Sequence, residues 1–589
     1  MPSAAPASRA RAGATARIRR LASNASMASS TALRSIVDDP LTFGIQLGRR
    51  FPAARGGLLA LARAARGADR ELVERWLEGD VAATRATLDG VTASGSLSRL
   101  GAEIAQAAGR PELVADDPSI HPLTRARAHW QLGEASAAIA LLAQHAPRSR
   151  LHRALRAELA LMTPGTRLRW THRGPALAGD RDGVLHLLTN SLPHTQSGYT
   201  VRSHAVLQAQ RGAGLAPTAI TRVGYPVVVG GLRAAALDTV DGIDYHRALP
   251  ARLAPTPDGR LAQQADALAA LAAEVRPAVL QTTTHYPNAI VVREVAEALG
   301  LPWAYEVRGM LEQTWVAGLG SDEARARALA SERFRLTRER EAELASAAGV
   351  VFTLAGSMRD DLAARGVPAE RIHLVPNGID EALLERDVPP AADAREALGL
   401  PREGFWVGST SSLVDYEGFD VLIDAVALAR ADGHDVRMLL VGDGAARAGL
   451  ERRAREAGLD AAAVFTGRVP RERVVAYRDA LDVFVVPRRD SEVTRTVAPL
   501  KPVEAMASGR PLLASDLPPL AETAGPELAR SGALVAPDDA EALAQRIAQL
   551  ASRPALRVDA AALGRQRAAR LTWSAIARTY ASHLRAICE

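Results

Sequence analysis

The sequence predicts an α/β fold: two doubly wound, Rossmann-like domains facing a cleft, with an α-helical region in front of them. Three observations carry this. From about residue 182, short apolar runs alternate with helix-length segments. The alternation restarts near residue 403, after the Pro/Asp-rich stretch DVPPAADAREALGLPREG (387–404). Before residue 175, apolar residues recur at helical spacing instead. Strands of four to eight apolar residues separated by helices imply a parallel sheet covered on both faces. A chain of 589 residues also exceeds what one core holds.

The elements follow in order. LVERWLEGDVAATRATL, LTRARAHWQLGEASAAIALLAQH and LHRALRAELALM read as antiparallel helix pairs. Within them, HWQLGEASAAIALL resembles half of a tetratricopeptide-type repeat, so residues 67–175 form an α-helical region with a packing or adaptor role. The first Rossmann-like domain, 182–375, opens with the strand GVLHLLTN and the helix SGYTVRSHAVLQAQRGAG. It continues through PTAITRVGYP, ADALAALAAEVRPAVLQTTTH, NAIVVREVAEALGLPWAYEVRG and SAAGVVFTLAGSM. The second, 376–565, runs GFWVGSTS, FDVLIDAVALARADG, RMLLVGDG, AARAGLERRAREAG, VFTGRVP, RERVVAYRDA, LDVFVVPRR, KPVEAMASG, RPLLASD. A last helix, WSAIARTYASHLRAI in 566–589, is long enough to pack back across the first domain.

Composition narrows the class. Apolar content of 48% and charge of 23% are those of a globular protein. The abundance of Ala and Arg fits a GC-rich bacterial genome. The one cysteine, Cys588, excludes an intrachain disulfide, and no apolar run is long enough to cross a membrane. Residues 1–70 hold twelve arginines against Asp38, Asp39 and Asp69. This basic leader, 1–66, reads as disordered to about residue 30 and then as an amphipathic element. An anionic membrane surface is one partner it suits; a solvated tail followed by a helix packed on its own domain is the plainer reading. No nucleic-acid recognition motif accompanies the charge.

In such a pair of domains, ligands bind outside the strand ends, near helix N-termini. SLPHTQSGYT places Gly198 at a helix start, where free backbone N–H groups can meet a phosphate. In VGDG, Gly442 and Gly444 permit a tight turn beside a ligand. The stretch TVAPLKPVEAMASGRPLLASD is the most informative. Its Lys501 is the only lysine in the chain. Pro499 and Pro502 restrict the loop, and Pro502 suits a first helical turn. Lys501 and Arg488 would bring positive charge to the helix entry, where Glu504 could accept both hydroxyls of a ribose. That set would hold a nucleotide diphosphate without a metal or a resident cofactor.

The order of these motifs resembles the family-4 glycosyltransferases of the GT-B fold over residues 182–589. SLPHTQSGYTVRSHAVLQAQRGAG, YPNAIVVREVAEALGLPWAYEVRG, VPNGID (375–380) and VEAMASGRPLLASD carry the likeness, and the donor-site helix is similar to a subgroup reading PLKPxEAMA. The resemblance implies retaining, metal-independent transfer of a sugar from a nucleotide diphosphate to a glycan or lipid-linked acceptor. It makes Lys501, Arg488 and Glu504 the catalytic candidates. It assigns the donor to Gly198, Ser412, Gly442, Asp443, Arg468, Val469, Thr496, Leu500 and Pro502 as well. It assigns the acceptor side to His194, His285, Glu306 and Arg308.

Two departures stand out. The first of the family's paired glutamates would fall at Thr496, where there is no carboxylate; Glu492 is nearby but out of register. The family's basic pair would fall near Ser412 and Glu417, so Arg488 and Lys501 are expected to supply that charge. Two alternatives stay open: a non-catalytic nucleotide- or sugar-binding protein using the helical region for a protein partner, or a sugar-nucleotide epimerase.

Overall fold

A computed structural model describes residues 20–31, 68–170 and 174–589. The amphipathic leader segment expected after residue 31 lies outside these residues. Residues 20–31 form a helix, against the expectation of disorder to about residue 30. It is docked: Met27 is fully buried in the core of the first domain, and Asn24 Nδ2 donates to the carbonyls of Leu232 and Ala234 at 3.0 and 3.1 Å.

The first sheet contains β1 (Asp180–Leu188), β2 (Ala216–Thr221), β3 (Leu237–Val240), β4 (Ile243–Arg247), β5 (Pro277–Thr283), β6 (Trp303–Val307), β7 (Val350–Thr353) and β8 (Ile372–Leu374). Their spatial order is β3-β4-β2-β1-β5-β6-β7-β8. Only the β3–β4 hairpin is antiparallel, and it sits at an edge. The β1–β5 pair sets Val184 opposite Val279 and Leu185 opposite Leu280. Helix Tyr286–Leu299 is almost wholly buried: Ala289, Ile290, Val291, Val292, Val295 and Ala296 pack in the core, and its buried Arg293 and Glu294 are paired with Glu343 and Arg167, each at 2.9 Å.

The second sheet contains β9 (Phe405–Thr410), β10 (Val436–Val441), β11 (Ala463–Gly467), β12 (Val483–Val486), β13 (Leu512–Ser515) and β14 (Leu534–Val535). It is ordered β11-β10-β9-β12-β13-β14, and every pairing is parallel. Alternation along each strand divides the core in two. Val407, Met438 and Leu440 pack on one face; Trp406, Leu439 and Val441 pack on the other.

The chain crosses between domains twice, side by side. The first crossing is at Val375–Asp380 and the second at Leu571–Trp573. They are joined by Ile379 N to Leu571 O at 2.9 Å and Trp573 N to Ile379 O at 3.0 Å. Helix Trp573–Ala586 then packs on the first domain, Tyr580 lying 4.7 Å from Phe352 between ring centroids. The stretch 387–404 is therefore not the crossing itself. It holds helix Ala391–Ala397, tied to the second domain through Arg395 and Asp482 at 2.9 Å.

The N-terminal helices run from Ala68–Glu78 to Arg150–Met162. Their core, with Leu72, Trp76 and Leu88, continues into Val316, Leu319 and Ala328 of the first domain. They also reach the second domain, where Arg452 pairs with Asp80, and Arg85 lies 3.6 Å from Asp415.

Candidate active site

A cleft of about 1210 Å³ opens between the two domains, at the carboxyl ends of the strands. From the first domain it is lined by helix Gly198–Gly212, from the hinge by Gly378–Leu383, and from the second domain by the ends of β9, β10 and β11. Helix Gly198–Gly212 is held at its start by a reciprocal Ser197–Thr200 capping box. A side chain at Gly198 would meet nothing within 4 Å, so the glycine leaves that helix entry open to a ligand.

Gly442, at the end of β10, has φ 141°, and a Cβ there would lie 1.8 Å from the Ser411 carbonyl oxygen. No other residue allows that close pass, which brings Thr410, Ser411 and Gly442 side by side on the cleft wall. Arg468, Val469 and Leu500 complete this wall as the sequence anticipates. Arg468 is exposed and makes no ion pair among the described residues.

Glu504 reaches the cleft from helix Lys501–Ala507, which Pro502 enters at its second position. Arg478 Nη2 donates to Glu504 Oε2 at 2.6 Å, fixing one carboxylate oxygen. Arg478 also lines the cleft and was missed by sequence reading, since one arginine among so many in RERVVAYRDA gives no signal.

Behind this wall lies a charge cluster. Glu417, 5% exposed, splits its carboxylate between Arg488 Nη2 at 3.0 Å and Lys501 Nζ at 2.9 Å. Lys501 Nζ also donates to Ser411 Oγ. Burial alone would raise the Glu417 pKa, but Lys501 and Arg488 outweigh it and hold it at about 2. Burial lowers the Lys501 pKa, and Glu417 opposes that change. Arg488 is committed to Glu417 and to the Val497 carbonyl, at 3.0 Å, and is not among the cleft-lining residues. The expectation that it adds free charge there is corrected: its partner is Glu417.

Ser412 and Asp443 are exposed beside the cleft rather than in its wall, and the serine that lines it is Ser411. Thr496 is buried, its Oγ1 donating to Glu492 O at 2.9 Å. Glu492 accepts from Gln313 Nε2 at 3.5 Å, across the domain boundary.

The acceptor-side candidates separate. His194 is exposed and pairs with Asp238 at 3.0 Å, and His285 is exposed at the end of β5. Glu306 is fully buried between Arg202 and Arg308, each at 2.8 Å, and these guanidiniums overcome burial to hold its pKa at about 2. Arg308 is turned onto Ser203 Oγ at 2.7 Å. Both belong to a buried network and not to an open acceptor surface. His204 is a cleft residue that sequence reading missed. It bonds Tyr245 at 2.7 Å and Asp241 at 3.0 Å, and burial lowers its pKa although Asp241 acts to raise it.

Two Rossmann-like sheets with a cleft between their strand ends and a helix crossing back are the GT-B fold of nucleotide-sugar glycosyltransferases. Residues 197–378 match the family described as "Glycosyl transferase 4-like domain", and residues 404–553 match "Glycosyl transferases group 1". Together these matches take in more than half of the chain, which belongs to this glycosyltransferase family. Among curated proteins, it is 33% identical over 217 residues to a 2-deoxystreptamine glucosyltransferase of Streptomyces kanamyceticus, covering 36% of this chain and 53% of that one. It is 31% identical over 220 residues to a D-inositol 3-phosphate glycosyltransferase of Corynebacterium urealyticum, covering 35% and 49%. The chain thus spans about half the length of these relatives. Among solved structures, sucrose-phosphate synthase of Thermosynechococcus elongatus aligns with TM-score 0.55 at 23% identity, over 68% of this chain and 98% of that one. Anabaena HepE, solved with UDP, aligns with TM-score 0.51 at 18% identity over the same shares.

Proposed function

We propose that the protein transfers a sugar, with retention, from a nucleoside-diphosphate donor to a glycan or lipid-linked acceptor in surface polysaccharide or glycoconjugate synthesis. One observation carries the reading: Glu504 stands in the cleft with one carboxylate oxygen fixed by Arg478, close to the ammonium of Lys501. A carboxylate so oriented accepts hydrogen bonds from a ribose diol, and the ammonium balances charge on the diphosphate.

In the reaction, the bond from the anomeric carbon to the diphosphate oxygen breaks, and one to the acceptor oxygen forms on the same face. The acceptor proton passes to the departing diphosphate. Lys501, Arg468 and the open start of helix Gly198–Gly212 stabilise the charge that develops there, with no resident cofactor or metal required. The proposed site of action is the cytoplasm, at the inner face of an anionic membrane reached through residues 1–66. No helix among the described residues is long and apolar enough to cross a membrane. Acceptor glycans of that kind are assembled on lipid carriers, which suits a peripheral enzyme. The helical region offers a surface for a protein partner.

Thermal-shift screening against UDP, GDP and ADP sugars tests the reading. One of them should stabilise the wild type, and Glu504→Ala should abolish that stabilisation. Failure of every nucleotide sugar to stabilise the wild type refutes it.

A further inference from the structure

Glu417 occupies a position that a simple cation site would not give to a carboxylate. It ends a tight turn, Asp415–Glu417, at the mouth of β9. The turn is locked by its neighbours: Gly418 has φ 71°, a Cβ there would lie 1.8 Å from the Pro487 carbonyl oxygen, and Arg489 N donates to Tyr416 O at 3.1 Å. The Glu417 backbone is therefore pinned to the loop after β12. Its side chain is 5% exposed, and both oxygens are used, one on Arg488 and one on Lys501. Two cations against one anion leave the cluster a net positive charge.

Lys501 comes from a different element, the helix that also carries Glu504. Its side chain is 20% exposed, against 9% for Arg488. An ammonium has three N–H donors. Glu417 and Ser411 take two, and Ser411 is itself a wall of the cleft. Lys501 is not itself among the residues lining the cleft, but its bonded partner Ser411 and its helix neighbours Leu500 and Glu504 are, which sets the ammonium one residue behind the wall.

Resting on the donor reading above, we propose that Glu417 is a positioning residue: it holds the Lys501 ammonium in place, and charged, to receive the donor diphosphate. The sole lysine then does from the helix what a cation on the β9 loop would do directly, and the loop contributes the counter-charge. Burial lowers the Lys501 pKa, Arg488 lowers it further, and Glu417 and Glu504 raise it. Tyr416, under the Arg488 guanidinium at 5.9 Å, adds no negative charge at neutral pH, since burial raises its pKa. Removing the Glu417 charge therefore favours the neutral amine. Diphosphate binding by the wild type should fall as pH rises through the Lys501 pKa, and in Glu417→Gln that fall should begin at lower pH.

The test is calorimetric binding of UDP, GDP and ADP to the full chain between pH 6 and 9, with the free nucleosides as controls. Glu417→Gln should lose about tenfold in diphosphate affinity, the loss growing as pH rises across this range, with nucleoside binding unchanged. A Glu417→Gln protein matching the wild type in affinity and pH profile overturns the assignment of Glu417 alone. A wild type that binds no nucleoside diphosphate overturns the donor reading, and this assignment with it. If Glu417→Gln fails to fold, the charge-swapped pair Glu417→Lys with Lys501→Glu decides. Affinity above that of Lys501→Glu alone supports the assignment, and no recovery overturns it.

Discussion

Arg202 donates to Glu306 Oε1 through Nε at 3.0 Å and Nη2 at 2.8 Å, while the same guanidinium reaches Val375 O at 2.7 Å and Asn377 Oδ1 at 2.9 Å. One buried side chain thus ties β6 of the first domain to the segment after β8 that leaves it for the second. Asn377 continues the link, its Nδ2 donating to Ala498 O at 3.2 Å, just ahead of the Lys501 helix. Glu306→Gln removes the charge that two buried arginines require. The expected cost is about 3–5 kcal/mol, because the loss leaves guanidiniums buried without a counter-ion. Urea unfolding followed by the first-domain tryptophans should show it, and a variant as stable as wild type would refute the role.

Glu504 and Arg478 should separate in binding experiments. Glu504→Ala removes the acceptor for ribose and should weaken nucleoside diphosphate binding about tenfold or more. Arg478→Ala keeps the carboxylate but frees its geometry, so a smaller loss is expected. The specific check is a 2′-deoxynucleoside diphosphate. The wild type should discriminate against it and Glu504→Ala should not; equal discrimination in both would place the ribose elsewhere.

The fold was legible because its cores are local patterns. Val483–Val486 is apolar throughout since both sheet faces are covered, and such runs are visible one at a time. Gly198, Gly442, Arg468, Val469, Leu500 and Glu504 were legible for a related reason: they stand at strand ends or helix starts, which the same patterns locate. The partner of a charge was not legible. Arg488 and Lys501 lie far from Glu417 in sequence, and only the folded chain shows that they neutralise it. Glu306 and Arg308 failed as open acceptor residues for the same reason, Arg202 being about 100 residues away in sequence. Ser411 against Ser412 is a one-residue difference in the loop just past the end of β9, where apolar alternation gives no register.

The helical region contacts the Asp415–Glu417 turn through Arg85 and Asp415, 3.6 Å apart and two residues from Glu417. Asp415 is largely exposed, so the pair's direct contribution to stability is small, about 0–1 kcal/mol. Its consequence should instead be kinetic. Arg85→Glu places like charges together and should raise the donor KM about two- to threefold, an effect that shrinks as salt is added. Steady-state kinetics at low and high ionic strength would decide, and a salt-independent change would point away from this contact.

Buried groups should make stability depend on pH in two adjoining windows, with Glu341, raised by burial to about 7, opposing His186 between pH 4.5 and 7. His186 lies in β1, 2% exposed, with Nε2 donating to Gln210 Oε1 at 2.7 Å. Burial lowers its pKa from 6.5 to about 4, with the Gln210 bond acting in the opposite direction. The folded chain therefore holds it neutral where the unfolded chain takes up a proton. Its contribution is complete above pH 6.5 and declines as pH falls toward 4. A tenfold difference in proton affinity between the folded and unfolded chains is worth about 1.4 kcal/mol, so the loss by pH 4.5 is about 2–3 kcal/mol. Glu306 and Glu417, both held at about 2, act below that window: their contribution is present above pH 4.5 and is lost as pH falls toward 2. Urea titrations of wild type and His186→Asn at pH 7 and pH 4.5 separate the two. The variant should start less stable at pH 7 and lose about 2–3 kcal/mol less on acidification. An identical pH dependence in both proteins would show that His186 is not the group that titrates.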